Sequence, residues 1–361
     1  MQPIYLYSMF SPFLIFGLLK TNNRITDEKR NRLLLILYSI QTAIIIGTRT
    51  LDTGSDTFAY FRMFNNIANL SSPVTAVQNG IEPLFSLIAF ICAKINIGYV
   101  GFNITVAALT MVFFSLAIYR TSISSLLSLY IYNCFALYAQ MINQSRQVLA
   151  MAVVLYAIAN LIEDRKVIFV MWVIVASLIH TSAIICFALL FIYRRELTPK
   201  LLGVYFLSGL FVLVMHNTLF SIIIRYSRYG RYLTQEWRYS SFNDSAIMNT
   251  IVRITMLLLA LLFYKELVLN SERMNMFYHM IIICTILQTL CVFNNALGRI
   301  TTYFFYGYFI VIPDIVETTE FANLRKNKMI LYPIIIIGLF VYYVVRMGNM
   351  RNMEYASVLF R

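Results

Sequence analysis

Charge is the scarcest property of this chain. Asp, Glu, Lys and Arg together make up 12% of its 361 residues, whereas 60% are apolar and 15% aromatic. A soluble domain carries roughly 25% charged residues, so the composition excludes a soluble fold and points to lipid as the solvent. Acidic residues are the rarer sign, 16 against 29 Lys and Arg, for a formal net charge of +13. The basic excess is not gathered into one block, which argues against a nucleic-acid partner. It sits between apolar runs, where membrane topology puts it.

Glycine (13), proline (7) and cysteine (5) are few as well. No stretch rich in Gly, Ser or Pro marks a linker, and there is no internal repeat or low-complexity tail, so one transmembrane domain, residues 1–361, is expected. Cys92, Cys134, Cys186, Cys284 and Cys291 all lie in apolar stretches without a C-x-x-C pair. They read as small buried hydrophobes, implying neither metal nor disulfide. A P-loop, G-x-G-x-x-G, H-E-x-x-H and G-x-S-x-G are all missing, which removes support for ATPase, dinucleotide, zinc-protease and serine-hydrolase chemistry and leaves no cofactor implied. The start, MQPIYLYSMF, has no basic region before its apolar core, so a retained first span is expected.

What the chain does have is long apolar runs, at a mean hydropathy of +0.73. A span needs about 20 apolar residues. On that basis spans are expected at Ile4–Leu19, Leu33–Gly47, Phe102–Tyr119, Ile123–Met141, Val148–Ile162, Leu201–Ile224, Met248–Leu269, Met276–Leu297, Ile300–Val316 and Met329–Val345. Pro83–Ala93 is too short to cross, and Val167–Tyr193 is long and interrupted by His180, Thr181 and Ser182. The expected fold class is therefore an all-α integral membrane bundle of about 11–12 helical segments, some re-entrant or broken. Outer loops are expected near 48–80 and 225–247.

Lys20–Arg32 holds five basic residues, so it is expected inside and the N-terminus outside. Strict alternation of full spans would put Glu163–Lys166 outside. A re-entrant Pro83–Ala93 and a pair of half-helices meeting near His180 bring every basic loop inside. Asp52, Asp56, Glu82, Arg146, His180, Arg225–Ser245 and Arg299 then share the outer face, and ionisable groups at membrane depth are site candidates by default.

Each constellation has a functional and a bland reading. Gly54 permits a tight turn that aims Asp56, with Tyr60 one turn on; alternatively Asp56 only caps a helix. Asp52 and Asp56 supply too few oxygens for a hard cation, so no metal is expected. Arg146 and Gln147 open a span from outside, where a guanidinium suits the diphosphate of a lipid carrier, or else a lipid headgroup, Asp56 or Glu82. His180 suits proton abstraction from a sugar hydroxyl, with Asp56 or Glu82 in reserve, or is a packing residue. In RYSRYGRYLTQEWRY, Arg225, Arg228 and Arg231 recur every third residue beside Tyr226, Tyr229 and Tyr232, with Trp237 following. That pattern pairs cations for phosphate with flat rings for sugar faces, or is an interfacial belt. Arg299, Ile300, Tyr303 and Phe304 open a later span, with Arg299 as a second diphosphate clamp.

These residues resemble the Wzy-type bacterial polysaccharide polymerases, closest to the EpsG-like branch. Arg49 followed by Gly54, Asp56 and Tyr60 looks like its Arg and Gly-x-Asp-x-x-x-Tyr loop, and Glu82-Pro83 like its acidic re-entry point. Arg146-Gln147 before Leu149-Ala150 matches its Arg-Gln helix start, His180 with Ser182-Ala183 its His-x-Ser-Ala step, and Arg299 with Ile300 and Tyr303 its late Arg motif. Leu51 and Asp52 depart from the pattern, leaving the acidic role open between Asp52 and Asp56. The resemblance implies a GT-C-like fold and the metal-independent joining of repeat units linked to polyprenyl diphosphate at the outer face of a bacterial inner membrane. Arg49, Arg146, Gln147 and Arg299 are then expected on the diphosphate, Tyr60 and Tyr303 on sugar, and a chain-length regulator as partner. The rival readings are an O-antigen ligase, which uses the same donor, and a flippase or transporter.

Overall fold

The computed structural model describes residues 2–216, 218, 221–222, 244–292, 298–318, 325–348 and 354–360. Regular structure in them is helical, as lipid demands of a backbone that must satisfy its own hydrogen bonds. The described chain packs as two compact units, residues 1–187 with 320–361, and residues 188–319.

Among the described residues three helices are long and apolar enough to cross a membrane: Pro3–Lys20, Gly98–Thr121 and Ser145–Ile162. Two further candidates are bent pairs, and here the structure corrects the expectation of straight spans. Ile123–Met141 is Ser125–Cys134 followed by Leu137–Asn143 at 54°, and Met248–Leu269 is bent by 59° where Leu262 meets Tyr264. The first break is at Ala136, whose φ of 53° lies in the left-handed region and interrupts the helical ladder. Ile300–Val316 is likewise divided, by a 3-10 turn at Thr302–Phe304. Hydropathy counts apolar side chains and is blind to such backbone breaks.

The first unit holds α1 (Pro3–Lys20), α2 (Asp27–Gly47), α3 (Thr57–Ala68), α4 (Pro73–Gln78), α5 (Pro83–Lys94), α6 (Gly98–Thr121), α7 (Ser125–Cys134), α8 (Leu137–Asn143), α9 (Ser145–Ile162) and α10 (Lys166–Ile179), with the last long helix Arg325–Gly348. α2 packs on α6, α6 on α9 and α9 on α10. At one end Tyr119 donates to Glu28 at 2.8 Å, and Arg120 donates to Glu163 at 3.0 Å and to Asn160 at 3.3 Å. The basic loops Lys20–Arg32 and Glu163–Lys166 thus share one end of this unit, the relation that strict alternation would have broken.

α5 does not traverse the unit. It starts at Glu82, which contacts Arg146 at the opposite end from Arg120, and by Tyr99 the chain is back at that level, where the phenol donates to Thr57 O at 3.0 Å. α10 runs from the basic end to a break at His180, beyond which the chain continues as a 3-10 helix, Thr181–Phe191. The short α5 and the break at His180 both appear where the sequence placed them.

An unforeseen contact closes this end. Residues 355–358 lie along the loop after α2: Thr50 N donates to Ala356 O and Val358 N to Thr48 O, both at 2.8 Å, about the antiparallel bridge Arg49–Ser357. Ser357 Oγ reaches Thr48 Oγ1 at 3.1 Å, and Tyr355 donates to Ile45 O at 2.7 Å. Each such bond contributes about 1 kcal/mol net. Deleting residues 354–360 is therefore expected to leave a protein that accumulates but whose loop 48–56 is cut by protease added to the detergent-solubilised protein. Unchanged protease resistance would show that this segment does not hold the loop.

The second unit contains α11 (Pro199–Val214), α12 (Asp244–Leu262), α13 (Tyr264–Asn270), α14 (Met274–Leu290), α15 (Gly298–Thr301) and α16 (Tyr306–Thr318). α14 is its centre, packed by α11, α12 and α16. His279 on α14 is fully buried, with Nε2 2.7 Å from Arg195 O and Nδ1 2.9 Å from Tyr205 OH, so both ring nitrogens are engaged in holding the fold.

Candidate active site

Three chain segments meet at the end of the first unit opposite Arg120. Glu82 precedes α5, where Pro83 occupies the first helical position, the place a helix accepts proline at least cost. Arg146 sits in the first turn of α9. The helix dipole disfavours a cation there, so an anion is required nearby. His180 ends α10 in extended conformation, which turns its ring out of the helical row.

Glu82 joins the other two. Its Oε2 accepts from Arg146 Nη1 at 2.7 Å, and its Oε1 lies 3.1 Å from His180 Nδ1. The carboxylate and imidazole are 14% and 11% exposed, the guanidinium 31%. Arg146 Cζ lies 5.8 Å from the centroid of Tyr60 and 5.7 Å from that of Phe85, a cation–π cradle. Phe85 packs on Phe102 at 5.6 Å, and Phe102 stacks on Phe64 at 5.2 Å, so the cradle is fastened to α3 and α6.

Burial opposes the ionisation of Glu82, but the hydrogen bond from His180 and the charge of Arg146 outweigh it and draw the carboxyl down to about 2. A carboxyl depressed in the folded state adds stability above its ordinary value of 4.5 and loses it only as pH falls through about 2. The ion pair is therefore intact throughout the neutral range.

Arg49 belongs elsewhere than expected. It is 2% exposed, and its guanidinium donates to Ile46 O at 2.7 Å, Thr57 Oγ1 at 3.2 Å, Ile142 O at 3.4 Å and Asn103 Oδ1 at 3.5 Å. With these donors turned inward it fastens the loop to α3, α6 and α8. Gly54, with φ of +86°, makes the expected turn and lies against Ile142 and Asn143. Asp56 stands at the start of α3 without making a capping bond and accepts from Ser55 Oγ at 3.1 Å, while Asp52 is exposed. Of the three acids on this side it is Glu82 that meets both Arg146 and His180.

The remaining candidates divide by burial. Gln147 is 3% exposed within α9. Tyr60 is 9% exposed and serves as one wall of the Arg146 cradle. In the second unit Arg299 is half-buried on α15, whereas Tyr303 is fully buried. Arg225, Arg228, Tyr229, Arg231, Tyr232 and Trp237 lie outside the described residues. Among the described residues no group of three or more His, Cys, Asp or Glu side chains comes together.

Two residues escaped the sequence reading. Phe85, in an apolar run, gave no sign of its role under Arg146. Arg253 is 1% exposed on α12, donates to Asn249 O at 2.9 Å and lies 4.5 Å from the Phe305 centroid. A lone arginine in an otherwise apolar stretch was the signal available for it.

No curated protein and no solved structure matches this chain. The sequence profile of the EpsG family matches residues 31–357, from α2 through the segment that closes the loop, and the chain belongs to the EpsG family.

Proposed function

We propose that this protein is a membrane glycosyltransferase that joins oligosaccharide repeat units carried on polyprenyl diphosphate. One observation carries the reading: one half-buried carboxylate holds an imidazole and a guanidinium side by side at the end of the unit away from its basic loops. Joining such units needs a base for the acceptor hydroxyl and a cation for the departing diphosphate. Family membership supports a role in polysaccharide biosynthesis, and the basic loops support an outward-facing site in the bacterial inner membrane.

In this reaction the acceptor hydroxyl gives its proton to His180, and its oxygen forms a bond to the anomeric carbon of the growing chain. The bond from that carbon to the diphosphate oxygen breaks, and the electron pair leaves with the polyprenyl diphosphate. Arg146 holds the charge that develops. A planar guanidinium fits two phosphate oxygens at once, which a point charge does not. A chain-length regulator is the proposed protein partner.

The test is deletion of the gene in its host, with the surface polysaccharide resolved on a gel. Loss of the long-chain ladder with single repeats retained is the expected result. Loss of single repeats as well would indicate a ligase or a flippase, and an unchanged ladder would reject the proposal. Complementation with His180→Ala is expected to restore only a faint ladder, since a positioned base contributes about two to four orders of magnitude in rate. A full ladder from that variant would remove the histidine from the mechanism.

A further inference from the structure

We infer that Glu82 is a positioning residue which sets the tautomer and aim of His180, so that Nε2 of the imidazole faces the acceptor hydroxyl. The inference rests on the polymerase reading and adds to it a residue that acts through the base.

The geometry supplies the argument. An ionised carboxylate only accepts hydrogen bonds, so the 3.1 Å contact between Glu82 Oε1 and His180 Nδ1 places the ring proton on Nδ1. Nε2 is then the nitrogen with a lone pair, the one a base requires. Glu82 stays ionised because Arg146 Nη1 holds its other oxygen at 2.7 Å. With both oxygens so engaged, Glu82 is itself a poor base.

The backbone fits this assignment. Glu82 stands at the N-cap of α5, yet its side chain makes no capping bond to that helix and reaches sideways instead. Pro83 restricts the backbone on one side, Ser86 N donates to Glu82 O at 2.9 Å, and Phe85 is fully buried against Tyr60 and Phe102. The carboxylate is thus delivered from a rigid base to a histidine that terminates a different helix.

The test is a double-mutant cycle in the deletion host. Wild type, Glu82→Gln, His180→Ala and the double variant are expressed, matched for membrane content, and compared by the rate at which a pulse of radiolabelled sugar enters long chains. Glu82→Gln is expected to slow that rate by about two orders of magnitude or more. The double variant is expected to be no slower than His180→Ala alone, because a residue that acts through the histidine has nothing left to orient. If Glu82→Gln fails to accumulate, Glu82→Asp carries the same cycle, since it keeps the charge beside Arg146 and withdraws the oxygen from Nδ1. Losses that multiply in the double variant would assign Glu82 a structural role and overturn the inference, as would a wild-type rate for the Glu82 variant. An intact ladder in the deletion strain would instead reject the polymerase reading itself.

Discussion

Arg146→Ala is expected to abolish the long-chain ladder while leaving single repeats. Two effects act together. The transition state loses a charge donor in a site of low dielectric, which costs about two to three orders of magnitude in rate. The protein also loses the partner of Glu82, whose side chain is only 14% exposed. Removing its cation leaves the half-buried Glu82 carboxylate with His180 alone, which destabilises the charge. Arg146→Lys separates the two. It keeps a cation near Glu82 and is expected to accumulate normally, but it lacks the planar fork and should lengthen chains slowly. A lysine variant with a wild-type ladder would show that charge alone suffices at this position. An alanine variant with one would remove Arg146 from the mechanism.

Gly54→Ala is expected to fail at folding. At φ of +86° an L side chain is strained by about 1–2 kcal/mol. A Cβ at this position would also collide with Ile142 and the Asn143 side chain, and crowding of that kind costs about 1–3 kcal/mol. The loop cannot relax cheaply. The Arg49 guanidinium ties it to Ile142 O on one side, and residues 355–358 pair with it on the other. The expected outcome is a sharp fall in the amount of protein in the membrane and a lower unfolding midpoint in detergent. Wild-type abundance and midpoint would mean that the turn adapts, and that its glycine is not required by geometry.

The sequence made some of this legible. The re-entrant course of α5 followed from a run too short to cross and from the need to keep Glu163–Lys166 with Lys20–Arg32, and the contacts of Arg120 and Tyr119 agree. The break at His180 followed from three polar residues in a long apolar run. The breaks at Ala136 and Phe263 left no such mark. Ala136 adopts a left-handed φ in a stretch with neither glycine nor proline, so packing imposes it and composition does not reveal it.

By itself, then, the sequence determined an all-α protein with helices apolar enough to span a membrane, and within the first unit it put Lys20–Arg32 and Glu163–Lys166 at one end. Hydropathy and charge are properties of single residues and short windows, so these conclusions needed no contacts. Only the tertiary structure decided which candidates meet. Arg49 and Arg146 both stand at helix ends in polar surroundings, yet one is consumed by backbone carbonyls and the other is held open against two aromatic rings. Asp56 and Glu82 were both reserve bases, with Asp52 a rival for the acidic role of the loop, and it is Glu82 that meets His180, 98 positions away in the chain. No periodicity links residues that far apart. Their meeting is fixed by how α5, α9 and α10 pack, and with it the pairing on which the proposed chemistry depends.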